Sequence, residues 1–129
     1  MIAWREDSRG ESSAVHAPLQ ARYARGEPAV TQALAELGNL ARSARATLLA
    51  GDRTELERCV DQSFDARRRM LALDPRHVEM IECARACGAA ANYAGSGGAI
   101  VAVCRDAEQL KLTQRALRGL GCETTAAPV

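Results

Sequence analysis

Lysine is nearly missing from this chain: Lys111 stands alone against sixteen arginines. With no lysine beside its glycine-rich segment, the sequence has no Walker-type phosphate loop, which must end in Gly-Lys-Ser/Thr. Charge of one sign is also missing, since 17 basic and 16 acidic residues leave a net +1. Nucleic acid is therefore not an expected partner, and even the run Arg67-Arg68-Arg69 has Asp61 and Asp65 close by in sequence. No apolar run approaches the ~20 residues needed to cross a bilayer, so no membrane partner is expected. The opening Met1-Ile-Ala-Trp-Arg-Glu-Asp lacks a signal-peptide core, which makes a cytoplasmic location the expectation. There is no internal repeat and no low-complexity tract. The preference for arginine and alanine suggests a GC-rich bacterial genome.

The five cysteines, Cys59, Cys83, Cys87, Cys104 and Cys122, are odd in number and form no C-x-x-C pair. Reduced thiols are the simplest account. Cys83 and Cys87 fall four apart on an expected helix and would need His77 to complete even three soft ligands, so they are read as core cysteines and no metal site is assigned. With only two histidines, His16 and His77, and no Ser-His-Asp or Cys-His pattern, a nucleophilic hydrolase is not expected.

What the chain does have is a glycine turn, Gly95-Ser96-Gly97-Gly98, between two small apolar runs, Ala89-Ala-Ala-Asn-Tyr93 and Ala99-Ile-Val-Ala-Val103. Glycine permits positive φ and has no Cβ, so successive N–H groups can converge on an anion. The same residues also suit a tight hairpin with no ligand. A dinucleotide fingerprint is excluded because a β-branched run, not a helix, follows Gly98. Any phosphate contact would come from backbone amides and the Ser96 hydroxyl.

Around this turn the chain reads as an α+β arrangement, with helices on one face of a small antiparallel sheet. Ile2-Ala-Trp4 is a short apolar start, and Arg5 to Ser13 reads as a polar loop. A short helix is expected from about Pro18 to Arg25, ended by Gly26. A long one starts at Pro28 and ends at Gly51, with Val30, Leu34, Leu37, Leu40 or Ala41, Ala44 and Leu48 as its apolar face. Asp52-Arg-Thr-Glu55 has capping-box form and opens a helix with Leu56, Val60, Phe64, Arg67 and Leu71 along one stripe. Asp74-Pro75 opens another, with Val78, Ile81, Ala84 and Cys87 inward. Asp106 caps a helix carrying Leu110, Leu117 and Leu120, and Gly121 leads into a last strand from Cys122 to Ala126. The expected division is a strand and loop over 1–17 and one domain over 18–129.

Two further features admit two readings each. Arg67 falls on an apolar stripe, where it either snorkels to solvent or, with Arg68, offers a bidentate fork to a carboxylate or phosphate. His16, near Ser12 and Ser13 in the expected loop, is either solvated or a hydrogen-bonding partner for a ligand.

The segment Gly88-Ala-Ala-Ala-Asn-Tyr-Ala-Gly-Ser-Gly-Gly-Ala-Ile-Val resembles the C-terminal glycine motif of the GHMP kinase superfamily. Together with Ser13-Ala-Val-His16, Arg22, Gly26 and Ser63-Phe-Asp-Ala-Arg-Arg68, it is most similar to the sugar 1-kinases of the glucuronokinase type, over about Trp4 to Val129. The resemblance implies an ATP-dependent transfer of the γ-phosphoryl group to a sugar-like hydroxyl. It implies phosphate or substrate binding by Gly95, Ser96, Gly97 and Gly98, and substrate contacts by Ser13, His16, Arg67 and Arg68. The family's P-x-x-x-G-L-G-S-S loop and its catalytic aspartate and lysine belong to an N-terminal domain that nothing here matches. No catalytic residue is therefore assigned, and ATP and Mg2+ are expected only in combination with an N-terminal kinase domain. Such a half, or a second copy of this chain, is the expected protein partner. Lysine and threonine often precede the motif in the family, whereas Asn92 and Ala94 stand here, removing a charge and a hydroxyl. The alternative is a non-catalytic ligand-binding or dimerisation module with the same fold.

Overall fold

A computed structural model describes residues 1–6 and 12–126, the side chains of 12–17 excepted. The elements run β1 (Ile2–Trp4), α1 (Ser12–Ala24), α2 (Pro28–Ala50), α3 (Arg53–Met70), α4 (Pro75–Ala86), β2 (Ala90–Tyr93), β3 (Ala99–Val103), α5 (Ala107–Gly119) and β4 (Glu123–Thr125). They form two compact units, one of helices over Glu11–Ala72 and one holding the sheet, Met1–Gly10 with Leu73–Val129. No helix among the described residues is long and apolar enough to cross a membrane.

In the helical unit, local signals set the boundaries. Pro28 opens α2, where its missing N–H costs nothing, and Gly51 at φ 72° closes it. The Asp52 carboxylate then accepts from the Glu55 N–H at 3.0 Å to start α3. Only half of the expected capping box forms. The Asp52 N–H already donates to the Thr47 carbonyl at 2.9 Å in the α2 termination, and the Glu55 carboxylate turns instead to Arg58. Arg22 joins the start and end of this unit: it makes a two-pronged ion pair with Glu27, at 2.8 and 2.5 Å, and donates to the Met70 carbonyl at 2.6 Å. Their mutual hydrogen bonds raise the Arg22 pKa and lower that of Glu27.

Three expectations here need correction. Helix α1 begins at Ser12 and passes through Pro18 rather than starting there. Proline removes only its own N–H and crowds the turn before it, so a helix begun upstream can continue past it. The backbone of Ser13 and His16 therefore lies in helix, not loop; Asp7 to Glu11 of the expected loop lie outside the described residues. On α2, Val30 is buried as expected, yet Leu48 is 65% exposed because it sits at the hairpin tip, one turn before Gly51. On α3, Phe64 is fully buried as the spacing requires, but Cys59, Ala66 and Met70 share the interior with it.

The sheet unit has strand order β2-β3-β1-β4, with all neighbours antiparallel. This is the split β-α-β arrangement in which two crossovers each skip a strand. Ala3, Ala91, Tyr93, Ile100 and Ala102 share one face by register and are all buried, and α4 and α5 pack against the sheet. Helix α4 presents His77, Met80, Ile81 and Ala84 inward, the i, i+3, i+4, i+7 set, while Val78 and Cys87 are only half-buried. The expected face is thus turned by one residue: counting His77 as polar hid the true stripe. Asp106 caps α5 through the Gln109 N–H, and the Gln109 amide donates on to the Cys87 carbonyl at 3.2 Å, tying α5 to the end of α4.

Asp74 caps α4 by accepting from the Arg76 N–H at 2.9 Å, and the Arg76 guanidinium grips the same carboxylate. These hydrogen bonds, the guanidinium first and the Arg76 N–H second, pull the carboxyl from 3.8 down to about 2. Because folding lowers this pKa, its stabilisation is complete above about pH 4 and is lost as pH falls toward 2. Asp74→Asn keeps a capping acceptor but cannot titrate. Urea unfolding is expected to find the wild type more stable at pH 5 and the two proteins converging toward pH 2. Phe64→Ala, which empties the one fully buried phenylalanine, is expected to cost about 3–5 kcal/mol in the same assay.

Candidate functional site

The glycine turn is a closed hairpin. The Ala94 N–H donates to the Ala99 carbonyl at 3.0 Å, and beyond this pair the four residues Gly95 to Gly98 make the reversal between β2 and β3. The reversal rests on two left-handed residues, Gly97 at φ 145° and Gly98 at φ 78°, whereas Gly95 is not among the positive-φ glycines. Ala94 and Gly95 are exposed, and Ser96, Gly97 and Gly98 are half-buried.

One edge of the turn is held by residues that local sequence does not announce. The Arg5 N–H, just after β1, donates to the Gly98 carbonyl at 3.3 Å. The Gly98 N–H donates in turn to His77 Nδ1 at 3.3 Å. His77 occupies the first turn of α4, 6% exposed, and meets the Tyr93 ring edge-on with centroids 5.9 Å apart at 84°. A Cβ built on Gly97 would lie 3.2 Å from His77 Nδ1 and 3.9 Å from Tyr93 Cε2, so the backbone passes where a side chain would not fit comfortably. Glycine at 97 is required twice, by its φ and by this contact.

The structure brings Gly95, Ser96, Gly97 and Gly98 together, as contiguity demands, and adds His77, Tyr93 and Arg5. The remaining expected residues belong to the helical unit. Arg67 is half-buried and Arg68 exposed on α3, while the neighbouring Arg69 pairs with Glu36 at 2.5 Å. Ser13 and His16 lie on α1 with side chains outside the described residues. The missed residue is His77. Its signal was present in the sequence, because residues 77, 80, 81 and 84 form a helical stripe and place the imidazole on the inner face.

The turn's chemistry is that of a small neutral cradle: backbone amides, one hydroxyl at Ser96 and no ionisable side chain among its four residues. The adjacent N-terminus of α4 carries its own anion, Asp74. Among the described residues no group of three His, Cys, Asp or Glu side chains is placed to hold a metal ion. The Cys83 thiol pKa is raised, chiefly by burial and then by Cys87 and Glu79, which favours the neutral thiol over a ligating thiolate.

The family model described as GHMP kinases C terminal matches residues 29–121, from the second residue of α2 through α5 and including the glycine turn. Glucuronokinase 1 of Arabidopsis thaliana is 34% identical over 119 residues, covering 89% of this chain and 33% of its own length. Probable glucuronokinase 2 of the same plant is 34% identical over 119 residues and is covered over 32%. The chain thus spans about a third of the curated relatives it matches. Among solved structures, L. major mevalonate kinase in complex with R-mevalonate superposes with a TM-score of 0.83 at 16% identity, over 92% of this chain and 37% of that one. A Lin0012 protein from Listeria innocua gives 0.87 at 12% identity, over 95% and 36%. At these identities the two structures establish a shared fold.

Gly97→Ala is expected to destabilise the chain by about 1–3 kcal/mol, because it puts a Cβ both in a disfavoured backbone region and against His77. Gly95→Ala, with nothing within 4 Å of its Cβ and no positive φ, is expected to stay within about 0.5 kcal/mol of the parent. Denaturant midpoints for the two variants check the contrast.

Proposed function

The chain belongs to the GHMP kinase family as a C-terminal domain of that family, and from this we propose that it is the substrate-side part of an ATP-dependent sugar kinase of the glucuronokinase type. The observation that carries the proposal is the built turn at Gly95–Gly98: two left-handed glycines, no Cβ at three of four positions and a hydroxyl at the fourth. Such a turn fits a phosphoryl or substrate oxygen at close range. It offers no carboxylate, so Mg2+ is assigned to the nucleotide and to the N-terminal part of the kinase.

When bound, ATP with Mg2+ supplies an activated phosphoryl group whose charge the metal partly neutralises. The role of this chain is positioning. Amides of the turn and the Ser96 hydroxyl would orient an oxygen, and the packed layer of Ala91, Tyr93, Ile100 and Ala102 beneath would keep the turn from shifting. Arg67 and Arg68 on α3 are proposed to meet a substrate carboxylate, the group for which the arginine fork is suited. Ser13 and His16 are proposed as further substrate contacts from α1. The family's catalytic aspartate, lysine and phosphate loop have no counterpart among residues 1–129, so the chain by itself is proposed to be inactive.

Complementation tests this. The chain is mixed with the N-terminal two-thirds of a glucuronokinase relative and given Mg-ATP and glucuronate. ADP and a sugar phosphate are expected from the mixture and from neither part alone. ADP formation that is the same with and without this chain would overturn the proposal.

A further inference from the structure

The Gly98 N–H points at an imidazole nitrogen, and that contact decides which part of the turn a ligand can use. For Gly98 to donate at 3.3 Å, His77 Nδ1 must carry a lone pair, which puts the proton of the neutral ring on Nε2. The ring also stands 3.2 Å from the place where a Gly97 Cβ would be and leans edge-on against Tyr93. His77 is itself fixed, by burial and by its backbone N–H donating to the Asp74 carbonyl at 3.0 Å in the first turn of α4. The turn is therefore clamped at its Gly98 end from outside the hairpin, by a residue 21 positions earlier in the chain.

We propose that His77 is a positioning residue for the glycine turn: it withdraws the Gly98 amide from any ligand, so that an anion would be met by the amides ahead of it, at Ser96 and Gly97. This refines the proposed function and rests on reading the turn as the ligand-facing element. His77 touches no substrate; it acts through Gly97 and Gly98. Its imidazole supplies two separable things, a ring that packs and a nitrogen that accepts. His77→Phe keeps the ring and loses the acceptor. His77→Asn loses the ring but keeps an acceptor, since the amide oxygen is at about the distance of Nδ1.

Amide hydrogen exchange on the 15N-labelled chain reads the clamp. The Gly98 amide is expected to exchange about tenfold faster in His77→Phe, as for loss of one hydrogen bond, and to regain protection in His77→Asn. Amides of β3 and α5 serve as the folding control. Unchanged Gly98 exchange in a folded His77→Phe overturns the proposal, as does failure of His77→Asn to restore it. Should His77→Phe fail to fold, the wild-type tautomer decides by long-range 1H–15N correlation: Nε2–H supports the clamp, and Nδ1–H overturns it. Titration with inorganic phosphate separates this from the underlying reading. Shifts at Ser96 and Gly97 that exceed those at Gly98 are expected. Larger shifts at Gly98 overturn the withdrawal of its amide. No shift anywhere in the turn overturns the ligand reading, while exchange and tautomer still judge the clamp.

Discussion

The sheet unit depends on the pairing of β1. Three residues, Ile2 to Trp4, lie between β3 and β4, with Ala3 fully buried opposite both Ile100 and Thr124. Antiparallel strands joined by crossovers have no hairpin between them to impose register, so the register comes from side chains that must face the core. Shifting β1 by one residue would expose Ala3 and bury Ile2 and Trp4. The same pairing ends at Arg5, whose N–H reaches the Gly98 carbonyl. The N-terminal strand thereby holds one side of the glycine turn while α4 holds the other.

This arrangement explains why a turn made almost wholly of glycine can keep one shape. Glycine loses the most backbone freedom on ordering, and several in a row would ordinarily give a mobile tip. Here the cost is offset by contacts at the ends: Ala94 to Ala99 across the hairpin, Arg5 to the Gly98 carbonyl and Gly98 to His77. Small residues in β2 and β3, buried at Ala90, Ala91 and Ala102, bring the backbone close to α4 and let an imidazole from that helix reach the turn.

Much of the architecture is legible in the sequence. Pro28, Gly51, Asp52, Asp74 and Asp106 mark helix ends by mechanisms confined to neighbouring residues, and each stands where its chemistry requires. The glycine turn was legible for the same reason, and the resemblance of its surrounding motif pointed to the right family. Less was visible where burial decides. Apolar spacing alone does not place Met80 and His77 on the inner face of α4, Leu48 continues the α2 stripe to an end that is open, and α1 starts six residues before Pro18 because proline is a strong local signal but not a decisive one.

By itself, then, the sequence determined the helix boundaries from α2 onward, the position of the reversal between β2 and β3 and the membership of the fold, since capping groups, left-handed glycines and periodic apolar residues act over a few positions of chain. The tertiary structure alone decided the strand order, the burial of His77 and its contact with Gly98. Those depend on which surfaces remain to be covered once the elements pack, and the free energy of that covering is shared among residues as far apart in sequence as Ala3, His77 and Ile100.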